Sequence, residues 1–77
     1  PDYAEAYNNL GVYFSSMQKH EEAISQFRMA IKFRPDLYNP QLNLGNSLLI
    51  KGNNIEAISH YRMAIKLKPD SAEALPS

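Results

Sequence analysis

The stretch AISQFRMAIKFRP at residues 23–35 returns as AISHYRMAIKLKP at residues 57–69, 34 positions further along a chain of 77 residues. Nine of the thirteen positions are identical. Three of the other four are soft exchanges: Phe27 for Tyr61, Phe33 for Leu67 and Arg34 for Lys68. Self-similarity at a period of roughly 20–50 residues marks a stack of small units, each too thin to bury its own apolar face and dependent on its neighbour.

Outward from that stretch, each copy reads as two helices. Tyr7, Leu10 and Phe14 recur at spacings of three and four and share one face of a first helix. Ala23, Ile24, Phe27, Ala30 and Ile31 form the apolar stripe of a second. The next copy repeats the pattern with Leu44 and Leu48, then Ala57, Ile58, Tyr61, Ala64 and Ile65. Gly11, Gly45 and the paired alanines are small enough to let a neighbouring helix approach closely. Pro35-Asp36 and Pro69-Asp70 stop the second helix of each copy, and Pro40 suits the first turn of its helix. Gly52, before Asn53-Asn54, suits a left-handed helix end. The spacing predicts helices over about 3–17, 20–33, 38–51 and 54–68, in repeats 4–37 and 38–71, with a third copy beginning at 72–77. The opening PDYAEAY reads as a cut inside a larger protein, since Pro-Asp recurs at 35–36 and 69–70.

A 34-residue period with two helices per unit resembles the tetratricopeptide (TPR) repeat. The residues that carry the resemblance are Tyr7, Leu10, Gly11, Phe14, Ala23, Phe27, Ala30 and Pro35, then Leu44, Gly45, Leu48, Ala57, Tyr61, Ala64 and Pro69. Two positions depart from the pattern: Gln41 replaces an aromatic, and Gln18 stands where the other copy has Gly52. The resemblance implies an all-α solenoid of antiparallel helix pairs in a right-handed superhelix, the first helices lining a concave groove. In character it looks closest to the superhelix of O-GlcNAc transferase, where asparagines at the matching place hold peptide main chain.

Bulk properties restrict the functions. Eight basic and eight acidic residues cancel, so the long-range field that nucleic acid or an anionic membrane needs is missing. The longest apolar run, SLLI, is far too short to cross a bilayer. There is no cysteine, hence neither a disulfide framework nor thiolate chemistry. The opening residues show no signal-peptide pattern. The compartment stays open, with cytoplasm or nucleus favoured over secretion.

Catalysis has little to stand on. His20 and His60 fall in different registers, His20 at a turn and His60 on a polar helix face, so no catalytic residue, metal ligand or cofactor is expected. Glu21, Glu22 and Glu56 sit in first turns, and Arg28, Lys32, Arg34, Arg62, Lys66 and Lys68 toward helix ends, which complements the helix dipole and describes a solvated face. The expected partner is a protein or peptide, with no nucleic acid and no membrane.

The candidate groove residues are Asn8, Asn9, Val12, Leu42, Asn43, Asn46, Leu49 and Ile50. Asn is a mediocre helix former, yet Asn9 and Asn43 stand mid-helix at equivalent places. A carboxamide can grip both N–H and C=O of an extended peptide. At roughly 0.5–1.5 kcal/mol net per hydrogen bond, two such residues bind only weakly, about 0.1 mM or worse. The TPR class that clamps chaperone C-termini is a poor match: Asn8, Glu73 and Ser77 stand where it has cations, Val12 replaces one of its asparagines, and only Asn43 agrees. The alternatives are an oligomerisation or scaffold segment, or the substrate-recruiting superhelix of a larger enzyme such as a glycosyltransferase. Two further expectations concern assembly. Ile58, Ile65 and Leu67 leave an apolar strip that favours self-association. The turn SSMQKHEE, lacking glycine and proline, invites a run-on helix and a domain-swapped dimer.

Overall fold

The computed structural model describes residues 2–67. Four helices follow one another: α1 Tyr3–Ser16, α2 His20–Phe33, α3 Tyr38–Ile50 and α4 Asn54–Leu67. The second-copy Pro69, Lys68 and the expected start of a third copy at 72–77 lie outside the described residues.

Each boundary has a local cause. Asp2 caps α1, its carboxylate accepting from the Glu5 N–H at 3.3 Å. Both intra-repeat turns are Schellman motifs. In the first, Lys19 N–H bonds to Phe14 C=O at 2.9 Å and Gln18 N–H to Ser15 C=O at 3.0 Å. In the second, Asn53 N–H reaches Leu48 C=O at 2.9 Å and Gly52 N–H reaches Leu49 C=O at 3.0 Å. The left-handed seat is taken by Gln18 (φ 64°) and by Gly52 (φ 88°). The run-on helix and its domain swap are therefore overturned: Gln18 accepts the left-handed conformation, and the first turn closes within one chain.

The pairs pack α1 on α2 and α3 on α4, and α2 then packs on α3 to join the two repeats. Gly11 and Gly45 sit against the rings of Phe27 and Tyr61. The core is Ala23, Ile24, Phe27, Leu44, Leu48 and Ala57, with Phe14, Ile31 and Tyr61 packed around it. Leu44 and Leu48 are fully buried there, worth about 1.5–3 kcal/mol each. Tyr7 stacks on Phe33 with centroids 5.6 Å apart. Ala30 and Ala64 are also buried.

Leu10, which its spacing places on the apolar face of α1, is not buried. It is 41% exposed, whereas its equivalent Leu44 is 1% exposed. Leu44 lies on a helix with α2 on one side and α4 on the other; among the described residues, α1 packs on α2 and α3.

Candidate functional site

The inner helices carry the site. A hollow of about 300 Å³ lies between α1 and α3, its walls including Val12, Ser15 and Ser16 from α1 and Asn43, Asn46 and Ile50 from α3. The spacings of three and four put each set on one helix face. A second hollow of about 370 Å³ continues toward the other end, with Glu5, Asn8, Asn39 and Tyr38 among its walls. Between them, Asn43 Nδ2 donates to Asn8 Oδ1 at 3.0 Å. Asn8 is buried and Asn43 half-buried. Tyr61 OH donates to Asn46 Oδ1, tying the floor of the groove to α4.

Of the eight groove candidates, the structure gathers Asn8, Val12, Asn43, Asn46 and Ile50 around these two hollows. Asn9 and Leu49 are exposed and Leu42 is half-buried, and none of the three lines either hollow. Asn9 differs from Asn43 in its neighbours. It is the repeat equivalent of Asn43, but Asn43 faces α1 across the hollow, while α1 has no helix before it among the described residues. Glu5, Asn39, Ser15 and Ser16 escaped sequence reasoning. Their signal was present: stepping by three and four from Asn43 and from Asn8 reaches all of them.

His60 is a second correction. It does not decorate a solvated face: its Nδ1 lies 2.7 Å from Gln41 Oε1 and its Nε2 3.5 Å from Glu56. Gln41, 4% exposed, also donates to Pro35 C=O at 3.3 Å. The carboxamide in the aromatic's place is thus a satisfied polar plug, with His60 completing it. Gln41 Oε1 can only accept, so Nδ1 carries the proton.

Charge pairs bind the repeats along the outer side. Arg28 forks onto Glu56 at 2.8 and 3.4 Å, and Lys51 reaches Glu21 at 2.8 Å. The Arg28 hydrogen bond holds the Glu56 carboxyl below the ordinary carboxylate range, and Lys51 does the same for Glu21. Among the described residues, no group of three His, Cys, Asp or Glu is placed to hold a metal ion. No helix among them is long and apolar enough to cross a membrane.

Two tetratricopeptide-repeat family models match the chain, one over residues 4–37 and the other over 38–71. The chain belongs to the tetratricopeptide repeat family, whose repeats mediate protein–protein interaction and are in general non-catalytic. Its fold is similar to two crystal structures of MamA. One superposes with a TM-score of 0.82 at 28% identity over 92% of this chain; the other gives 0.77 at 27% over 97%. The chain spans 42% and 41% of those two proteins. No curated protein matches the sequence.

Proposed function

We propose that the concave face of α1 and α3 holds an extended peptide from a partner protein. The observation that carries this reading is the Asn8–Asn43 bond beside an otherwise open hollow. It occupies one N–H of Asn43 and fixes the amide, leaving the second N–H and Oδ1 for a peptide main chain. Val12 and Ile50 supply apolar contact for one side chain in the same hollow. Pre-fixing the amide lowers the ordering cost of binding. Affinity stays weak, about 0.1 mM or worse, since only a few hydrogen bonds oppose the cost of association.

The test is a titration with unstructured peptides followed by amide chemical shifts. Shifts confined to Val12, Ser16, Asn43, Asn46 and Ile50 support the reading, and Asn43→Ala should weaken binding by about 2–10-fold, with Asn9→Ala close to neutral. Peptides that move only residues on the outer helices would end it. A second reading, an assembly segment, is favoured by the exposed apolar side chains of α4. The third, recruitment of substrate by a larger enzyme such as a glycosyltransferase, rests on the recurrence of Asn9 and Asn43. The length of the parent protein decides it.

A further inference from the structure

The outer face of α4 carries Ile55, Ile58, Arg62 and Ile65, all exposed; Ile55 reaches 89%. A hollow of about 690 Å³ runs along it. Each of these residues has an equivalent 34 positions earlier, on α2, where the covering partner is visible. Ile58 is half exposed while its equivalent Ile24 is buried beside Leu44 of α3. The α2–α3 junction is therefore a template for whatever covers α4, and it can be read pair by pair.

Three pairs decide the occupant. Across the existing junction Arg28 binds Glu56. Shifted by one repeat, the same pair is Arg62 and a residue equivalent to Glu56, which in this chain is Glu22. Lys51 binds Glu21 across the existing junction. Shifted, Glu21 becomes Ile55 and Lys51 becomes Met17, so a charged pair turns into an apolar one on both sides at once. Both side chains are exposed. Finally, Ser47 shares a hollow with Ser15 and Ser16. Its equivalent Tyr13 and theirs, Leu49 and Ile50, are all large, apolar-bodied and exposed. An unrelated partner has no reason to match these changes in step.

We infer that the face of α4 docks α1 and the start of α2 of a second copy of this chain, head to tail. Arg62 then meets Glu22 of the next copy, Ile55 meets Met17, and Leu49 and Ile50 meet Tyr13. The two contacting surfaces are different, so the contact is heterologous and leaves a free edge at each end. Growth is open and yields a ladder of species in place of a closed dimer. Each added copy also lengthens the concave face.

Sedimentation velocity from roughly 10 μM to roughly 1 mM tests this on the chain itself. The wild-type sedimentation coefficient should climb with concentration. Ile55→Glu and Met17→Lys, each placing a lone charge against an apolar partner, should each weaken association by about tenfold or more. The double variant rebuilds the Glu21–Lys51 pair and should recover most of the loss, now with a steeper dependence on salt than the wild type, whose junction carries one ion pair fewer. Both sites are exposed, and circular dichroism checks that the helices remain; Arg62→Glu with Glu22→Arg offers a second swap. A monomer throughout the range overturns the inference. So does association that the single substitutions leave unchanged, or a double variant no better than the singles.

Discussion

A Cβ placed on Gly11 would lie 2.5 Å from Cε1 of Phe27, closer than any packed pair of carbons tolerates. Phe27 is fully buried and cannot swing aside. Alanine at position 11 gains about 1 kcal/mol of helix propensity but forces α1 away from α2, an overpacking cost of about 1–3 kcal/mol or more. Gly11→Ala should therefore be net destabilising in urea denaturation. Gly45→Ala should cost less, because the Tyr61 ring it meets at 2.9 Å is only half-buried and can yield.

Gln18 holds a left-handed backbone without being glycine. Gln18→Gly should stabilise the chain by about 1 kcal/mol, raising Tm by about 4–8 °C for a domain of this size. The mirror experiment is Gly52→Ala. No atom stands within 4 Å of its Cβ, yet φ +88° strains any L side chain. A loss of about 1 kcal/mol is expected, and thermal melts of both variants check the pair.

Gln41 is buried because Pro35 and His60 satisfy it. Gln41→Ala strips both partners and opens a void, with an expected loss of about 2–3 kcal/mol. His60→Ala should lose about 1–3 kcal/mol by orphaning Gln41 Oε1. The two effects should be non-additive in a double-mutant cycle by chemical denaturation. Simple additivity would mean that the side chains act independently.

Glu56 and Glu21 both titrate below the ordinary glutamate range because Arg28 and Lys51 hydrogen-bond their ionised forms. A carboxyl whose folded pKa is depressed contributes stability at pH values above its unfolded pKa. That contribution is lost as pH falls through the folded value. Stability should thus be flat near neutrality and decline in the acid range, below the unfolded glutamate pKa. The double variant Glu21→Gln, Glu56→Gln should flatten part of that decline. Denaturation midpoints across pH, at low and high salt, make the comparison; parallel curves would show that these exposed pairs contribute nothing.

The repeat made the helices legible, since the spacing of apolar residues, Asp36 after Pro35, and Gly52 each act locally. What sequence reading missed depends on neighbours. Leu10 and Leu44 are identical in type and register, and only the presence of helices on both sides of α3 separates their burial. Recurrence singles out Asn9 and Asn43, whereas the hydrogen bond across the repeats joins Asn43 to Asn8. Gln41 and His60 each read as a misfit or ornament alone; their meaning lies in a contact 19 residues apart. Gln18 shows the limit of turn chemistry, where packing on both sides of the turn outweighs a modest backbone penalty.

Contacts in this chain join helices that are neighbours or next-neighbours in order: α1 to α2, α2 to α3, α3 to α4, and α1 to α3. Among the described residues, no pairing requires α1 to find α4. Without distant ends to bring together, little loop entropy stands in the way of assembly, and folding belongs in the microsecond-to-millisecond class of helical chains. The same economy makes opening piecemeal: the outermost helix can peel away while the Leu44–Phe27 centre stays closed, so amide exchange should be fastest in α1 and α4 and slowest where α2 meets α3.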